Sequence, residues 1–211
     1  MLEVHDLVAG YRGQPVIRLP ALTVNAGEVM LVLGPSGSGK TTLLLALAGL
    51  AQAIEGQVEI DGVVVNALPA AQRDRFRGHN IGIVFQDLNL IPGLSALENL
   101  MLAPFAVSAR QDRKRAQELL RELGLERAVR QPAETLSRGQ AQRVALARAM
   151  LLGPKVILAD EPTASLDAES CAVVAELLAK AADQTGAALV IATHDDRLRA
   201  TFSNQINIAR P

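Results

Sequence analysis

The sequence feature that most constrains the fold is a glycine-rich segment, Gly34–Thr41, which lies between two apolar stretches. Residues 29–33 are typical of a short buried strand, and residues 42–48 are typical of a helix. The segment fits the pattern G-x-x-x-x-G-K-[ST] in full, in which backbone N–H groups and the start of the helix surround a phosphate. A glycine-rich turn with a chance lysine is the alternative, and the flanking elements argue against it. The segment therefore predicts that the chain binds a nucleoside triphosphate.

The last two residues of this segment have side chains that suit a bound triphosphate. Lys40 carries a point charge that can reach the outer phosphates. Thr41 offers a hydroxyl group to Mg²⁺, a cation that binds oxygen ligands together with phosphates. We therefore expect Mg²⁺ to accompany the nucleotide.

The composition limits the class of protein. Of 211 residues, 49% are apolar and 20% charged, which excludes disorder and suits one domain, with or without an inserted lobe. The formal net charge of −1 gives no overall positive field that would attract nucleic acid. It does not exclude a local basic groove. The single cysteine, Cys171, excludes an intrachain disulfide.

The N-terminus does not resemble a signal peptide. No apolar stretch reaches the ~18 residues that a helix needs to span a bilayer. We therefore expect another chain to provide any membrane segment.

Two acidic residues, Asp160 and Glu161, follow the apolar stretch 155–159, which is predicted to be a strand. Carboxylates in that position are unfavourable unless a cation meets them. Asp160 suits the Mg²⁺ shell, and Glu161 suits a water molecule that attacks phosphorus. A pair of solvated acids is the alternative, which Lys40 and Thr41 upstream make the weaker one.

Polar side chains also follow two other predicted strands. Gln86 comes after residues 81–85, and His194 follows residues 187–192. Side chains at the carboxyl ends of strands in an α/β sheet face the ligand crevice. Taken alone, however, Gln86 is more simply a surface residue and His194 a structural one. Tyr11, the only tyrosine, lies in a predicted turn before the glycine-rich segment. Its ring could stack on a purine base or could simply pack against the protein.

Residues 89–150 are predicted to be mainly helical. Ser137 and Gln140 have capping-box spacing, so a helix is expected to begin there. Its N-terminus is a second candidate anion site, and a well-capped helix without a ligand is the alternative. Asp167 is predicted to cap the next helix, in which Cys171 lies on an apolar stripe and is expected to be a core residue.

Together these motifs resemble the nucleotide-binding subunit of ATP-binding cassette (ABC) transporters over essentially the whole chain. The similarity rests on Gln86, on the signature-like residues 136–140, on residues 156–161, on Ser165-Leu166-Asp167 and on His194. The residues that the resemblance implies for ATP binding are an adenine-stacking aromatic ring and the phosphate loop, namely Tyr11, Gly34, Pro35, Ser36, Gly37, Ser38, Gly39, Lys40, Thr41 and Thr42.

The resemblance implies an α/β P-loop NTPase (RecA-like) fold that has a mixed sheet, an N-terminal antiparallel β subdomain and an inserted α-helical subdomain. Residues 1–211 would be a single ATPase domain. Residues 1–88 and 152–211 would form the core with its antiparallel part, and residues 89–151 the helical signature subdomain.

The resemblance also implies catalytic and metal-binding roles. Glu161 would polarise the attacking water, His194 would contact the γ-phosphate, and Gln86 would reach Mg²⁺ and the water. Thr41, Gln86 and Asp160 would bind Mg²⁺. The expected cofactors are ATP and Mg²⁺.

The signature residues would act on a second subunit. Ser137 and Gly139, in one motif with Arg138 and Gln140, would hold the γ-phosphate of ATP bound to the other subunit of a head-to-tail dimer. Asp167 would serve communication between the subunits. The implied partners are a second ATPase subunit, as a homodimer, and an integral membrane permease, at the cytoplasmic face of the inner or plasma membrane. No nucleic acid partner is expected.

Arg138 departs from the family, which most often has glycine there. A positive φ would strain an arginine by about 1–3 kcal/mol, whereas a negative φ would cost little and add positive charge near a phosphate. Because family members with a basic residue at this position exist, we expect the negative φ.

The tract 85–99 is similar to the lipoprotein-releasing, macrolide-export and cell-division group of the family. A soluble ABC-type ATPase that acts on nucleic acid or the ribosome is the alternative; it would need coiled-coil or zinc insertions, or two cassettes in one chain, which this sequence lacks. A cassette that binds nucleotide without turnover is a third hypothesis, and Glu161, His194 and Gln86 argue against it.

Overall fold

The computed structural model describes residues 1–164 and 166–208, which form two sheets and surrounding helices. The strands of this part of the chain are β1 Leu2–Tyr11, β2 Gln14–Val24, β3 Val29–Leu33, β4 Gln52–Ile60, β5 Val63–Val64, β6 Ile81–Val84, β7 Val156–Asp160, β8 Ala188–Thr193 and β9 Gln205–Asn207. The α-helices are α1 Lys40–Leu47, α2 Ala70–Asn80, α3 Ala96–Ala106, α4 Arg113–Glu122, α5 Arg138–Met150, α6 Ala168–Thr185 and α7 Asp196–Thr201. Short 3₁₀ turns occupy Val65–Ala67 and Ala133–Thr135.

The N-terminal sheet is antiparallel, with the strand order β2-β1-β4-β5. The tight turn between β4 and β5 has φ angles of 48° at Asp61 and 81° at Gly62, as a two-residue hairpin with two left-handed positions requires. Asp61-Gly62 lies between residues 57–60 and 63–65, which are typical of strands, so this pair predicts a two-residue hairpin, and the structure confirms it.

The second sheet is parallel, with the strand order β6-β7-β8-β3-β9. Strand β3 lies inside it, and β7 and β8 are buried along their whole length. Since parallel strands end at the same edge of a sheet, the segments after β3, β6, β7 and β8 meet there. This edge collects the glycine-rich segment, Gln86, Asp160, Glu161 and His194.

Alternating residues of the central strands pack on opposite faces of the parallel sheet. Leu31 and Leu33 join a core formed with α3 to α6, whereas Met30 and Val32 join a core formed with α1 and the antiparallel sheet. The α/β fold with two kinds of sheet is therefore as expected. Among the described residues, no helix is both long and apolar enough to cross a bilayer.

Residues 89–150 are mainly helical, as predicted. Helix α5 begins after Ser137, whose hydroxyl accepts a hydrogen bond from the N–H of Gln140 while the Gln140 side chain accepts one from the N–H of Ser137. Helix α4 ends before Gly124, which has a φ of 68°. The division into a core and a helical subdomain stays a prediction.

Several elements differ from the sequence-based expectation, among them helix α2, strand β9 and the end of strand β1. Helix α2 was not expected, because its residues form no apolar stripe and none of them is buried. Strand β9 was not expected either, because it is a three-residue edge strand with a single apolar residue, Ile206. Strand β1 extends to Tyr11, so this residue ends a strand and the turn is reduced to Arg12 and Gly13.

Strand β6 passes very close to α5 at Gly82, where an added Cβ would lie 2.3 Å from the carbonyl oxygen of Ala149. We therefore expect Gly82→Ala to lower the free energy of unfolding by about 1–3 kcal/mol, because overpacking forces the backbone to shift. Urea denaturation measures this change. Gly93→Ala is the matched control, since a Cβ there meets nothing within 4 Å, and equal destabilisation of both variants would contradict the packing argument.

Candidate nucleotide site

The glycine-rich segment forms a tight loop between β3 and α1. Gly39 precedes α1 with a φ of 94°, and an added Cβ would lie 3.2 Å from the carbonyl oxygen of Val16. A Cβ at Gly34 would lie 2.6 Å from both the Ser38 hydroxyl and the Ile208 carbonyl. No side chain caps α1, so its first N–H groups remain available to an anion. The loop thus has the geometry of a phosphate cradle.

The ammonium group of Lys40 lies across this loop. Its Nζ donates hydrogen bonds to the carbonyls of Gly34, at 2.8 Å, and Pro35, at 3.2 Å, and lies 3.6 Å from Glu161 Oε1. Lys40 is only 6% exposed. A buried cation therefore faces both the loop and the acidic residue after β7.

Thr41 and Asp160 meet across the site. The Thr41 hydroxyl donates a 2.7 Å hydrogen bond to Asp160 Oδ2, whereas Asp160 Oδ1 and the Ser38 hydroxyl are buried without a hydrogen-bond partner in the described part of the chain. Burial is the largest effect on the pKa of Asp160 and raises it above its usual value, and the nearby Glu161 carboxylate raises it as well. The hydrogen bond from Thr41 and the charge of Lys40 oppose this change by lowering the pKa. A cation near Oδ1 would favour the ionised carboxylate.

This donor set fits Mg²⁺. A hydroxyl and one carboxylate suffice, because Mg²⁺ keeps water and phosphate oxygens in its shell. Within residues 1–164 and 166–208, no group of three or more His, Cys, Asp or Glu side chains could hold a metal, so a cage made by protein alone is not present there.

The carboxylate of Glu161 is buried and held by three donors. It accepts hydrogen bonds from the Thr193 hydroxyl at 3.0 Å, from the backbone N–H of His194 at 3.4 Å and from His194 Nδ1 at 2.6 Å. With Glu161 as a carboxylate, which only accepts hydrogen bonds, this contact requires a proton on His194 Nδ1. Glu161 has a φ of 45°, a left-handed conformation that in a non-glycine residue costs about 1–3 kcal/mol and clusters at functional sites.

Gln86 lies in the same cavity as the phosphate loop, Asp160 and Glu161. It lines a cavity of about 330 Å³ together with the phosphate loop and both acids; the lining residues are Val16, Ser36, Gly37, Gly39, Lys40, Thr41, Thr42, Gln86, Asp160 and Glu161. The backbone after Gln86 is held from α5, where Arg148 donates hydrogen bonds to the carbonyls of Leu88, at 2.7 Å, and Asn89, at 2.6 Å.

The other predicted residues lie outside this cavity. Tyr11 is half-exposed at the end of β1 and does not line it, so its role stays a prediction. The residues at the start of α5 do not line it either. Asp167 caps α6 by accepting a 2.7 Å hydrogen bond from the N–H of Ser170, whereas Ser165 lies outside the described residues. Cys171 is buried in the core, as expected.

Arg138 is the first residue of α5 and has a negative φ, as expected, so arginine is not strained there. Its Nη2 donates a 2.9 Å hydrogen bond to the backbone carbonyl of Gln86. The side chain therefore links the start of α5 to a residue of the cavity in the same chain.

Three polar residues of the site's surroundings were not predicted from the sequence. Thr193 touches Glu161, and Thr163 binds Asp195 through its hydroxyl at 2.8 Å. Thr163 and Asp195 lie 32 positions apart, so only the adjacency of β7 and β8 brings them together. A signal for Thr193 was present, since it is the last residue of a strand that ends at the site.

Comparisons with known proteins agree with this geometry. The model of the ABC transporter family matches residues 18–164. The lipoprotein-releasing system ATP-binding protein LolD of Bacteroides thetaiotaomicron is 41% identical over 201 residues, which are 94% of this chain and 92% of that protein. The ABC transporter ATP-binding protein YtrE of Bacillus subtilis is 38% identical over 200 residues, 92% of this chain and 87% of that protein.

A solved structure is similar along almost the whole chain. The ATP-binding cassette MJ0796, in a dimeric post-hydrolysis state bound to ADP and Pi, superposes with a TM-score of 0.85 at 36% identity, over 99% of this chain and 94% of that one. The phosphate loop, the two acids after β7 and the matches to these cassettes lead to one conclusion. The chain belongs to the ABC transporter family, as an ATP-binding and ATP-hydrolysing subunit.

Proposed function

We propose that the chain hydrolyses ATP at the carboxyl edge of its parallel sheet with Glu161 as the general base, and that it thereby drives a separate membrane permease. The observation that carries the proposal is the buried Glu161 carboxylate, fixed by Thr193 and His194 and 3.6 Å from Lys40. A base in that position needs a fixed orientation and a nearby cation to neutralise the phosphates. His194 would contact the γ-phosphate and Gln86 would orient the water.

In the same proposal Thr41, Asp160 and Gln86 hold Mg²⁺. The buried, unpaired Asp160 Oδ1 beside the Thr41 hydroxyl supports this assignment. The ion would neutralise charge on the phosphoryl group. The phosphate loop binds the phosphates through its N–H groups and Lys40, and Tyr11 stacks on adenine.

The start of α5 would complete the site of a second copy. Residues 137–140 do not line the cavity of their own chain, although the N-terminus of α5 offers N–H groups and Arg138 adds a positive charge. A head-to-tail dimer would bring Ser137, Arg138, Gly139 and Gln140 to the γ-phosphate bound by its partner. Asp167 would transmit conformational changes between the two copies.

The permease would bind at a groove between the core and the helical subdomain formed by residues 89–151. This groove, with a volume of about 340 Å³, is lined by α2, β6, α3 and α5 and includes Ile83, Phe85 and Leu102. Phe105, at the end of α3, is 70% exposed. A helix of a membrane partner with an apolar face fits this surface. The chain would then lie at the cytoplasmic face of the membrane.

The similarity to LolD supports a partner of the lipoprotein-releasing type, in agreement with tract 85–99. The alternative of an ATPase that acts on nucleic acid has no support, because the relatives are ATP-binding proteins of transport systems and the net charge is −1.

A detergent pull-down tests the membrane partner. Tagged Glu161→Gln chain, loaded with ATP and Mg²⁺ to hold the closed form, is expected to retain an integral membrane protein that mass spectrometry identifies. Lys40→Ala, which cannot close on ATP, is the control and should retain less of it. Recovery of soluble proteins or nucleic acid alone would contradict the permease proposal.

A further inference from the structure

Arg197, on α7, joins the loops that follow β7 and β8. Its Nε donates to Asp195 Oδ1 at 2.9 Å and its Nη2 to Asp195 Oδ2 at 2.7 Å, which is a bidentate pair. Its Nη1 donates a third bond, of 3.1 Å, to the backbone carbonyl of Leu166. One guanidinium group therefore holds a side chain after β8 and the backbone of a loop after β7.

Asp195 is itself firmly held. Its Oδ2 also accepts a 2.8 Å bond from the hydroxyl of Thr163, a fully buried residue, and lies 3.8 Å from the Cys171 thiol. The bonds from Arg197 lower the pKa of Asp195 well below its usual value, although burial opposes this. The carboxylate is therefore ionised at neutral pH and provides a fixed anchor for the arginine.

Both ends of this contact lead to residues of the site. Asp195 follows His194, and its N–H donates a 3.0 Å bond to the Thr193 hydroxyl, which in turn donates to Glu161. Leu166 precedes Asp167, the N-cap of α6. The Arg197 guanidinium thus connects the backbone next to Asp167 with the residues that hold Glu161, in addition to the bond between Thr163 and Asp195.

We propose that Arg197 is a positioning residue for ATP hydrolysis, which keeps the backbone beside Asp167 in register with the His194 and Glu161 pair. The inference rests on the proposed roles of those three residues. Arginine suits this task because its planar fork serves the carboxylate and the carbonyl together, whereas lysine offers a single point charge. Without the guanidinium, the Thr163–Asp195 bond would still join the two loops, but the Leu166 carbonyl would lose its bond to the arginine, and the backbone beside Asp167 could shift relative to His194.

Steady-state kinetics of Arg197→Ala test the proposal. We expect kcat to fall about tenfold, since small misplacements away from the chemistry reduce rates strongly, while the Kd for ATP stays within about twofold. Arg197→Lys should recover only part of the loss. Arg199→Ala is the matched control, because Arg199 lies on the same helix, is exposed, and its side chain makes no hydrogen bond or ion pair with the described residues.

An unchanged kcat in Arg197→Ala, or an equal loss in Arg199→Ala, would overturn the proposal. Should Arg197→Ala unfold, Arg197→Gln keeps much of the stem and a donor group, and the same drop in kcat at an unchanged Tm is expected; wild-type kcat in that variant would overturn the proposal. Failure of the underlying function is distinguishable, because it would appear as retained turnover in Glu161→Gln, whatever Arg197 does.

Discussion

Replacing Glu161 by glutamine is expected to reduce ATP turnover by about 10²–10⁴-fold, the range that a general base contributes, and to leave ATP binding intact. The amide keeps the shape of the side chain but cannot accept the proton of the attacking water. It can still accept a hydrogen bond from Thr193 through its carbonyl oxygen, so the local fold should hold. Phosphate release at saturating ATP measures turnover, and titration with a fluorescent nucleotide measures binding.

Glu134→Gln is the matched control for this variant, because Glu134 is exposed and its side chain bonds to none of the described residues. It should hydrolyse ATP at the wild-type rate. Turnover at that rate in Glu161→Gln would show that another group activates the water.

Removal of the Lys40 ammonium group should weaken ATP binding strongly. Lys40→Ala takes away a buried cation that bonds to the phosphate loop and faces Glu161 at 3.6 Å. In the complex, Lys40 and the phosphates of ATP would form a buried charged pair. Truncating one member of such a pair costs about 2–5 kcal/mol of binding free energy, so the Kd for ATP should rise about 30-fold or more. Calorimetric titration with ATP and Mg²⁺ measures this change.

Lys114→Ala is the control for the charge alone, since the Lys114 side chain is 88% exposed and pairs only loosely with Glu118. An unchanged ATP affinity in Lys40→Ala would remove the lysine from the phosphate site. An equal loss in Lys114→Ala would assign the effect to net charge.

The features predicted correctly from the sequence are those whose cause is local. The Asp61-Gly62 hairpin follows from two adjacent residues that tolerate positive φ, and the start of α5 follows from Ser137 and its partner three residues later. Helix α2 could not be predicted in this way, because a helix with no buried residue has no apolar period to detect.

The site was predictable where each residue follows a strand. Thr41, Asp160 and Glu161 were expected together, and the structure brings them together because β3, β7 and β8 are parallel neighbours. The contacts of Arg197 with Asp195 and Leu166 were not predictable, because they depend on how two loops pack after the sheet has formed. Arg138 was identified as unusual from the sequence, but its bond to the carbonyl of Gln86 is visible only in the structure.

We expect two copies of this chain to close on ATP, and we expect Glu161 to be needed to open them again. The most direct test is the molar mass of Glu161→Gln by light scattering, with and without ATP and Mg²⁺. We predict the mass of two chains with ATP and of one chain without it, and the mass of one chain in both conditions once Lys40→Ala is added. A single-chain mass for Glu161→Gln at saturating ATP would contradict the shared site.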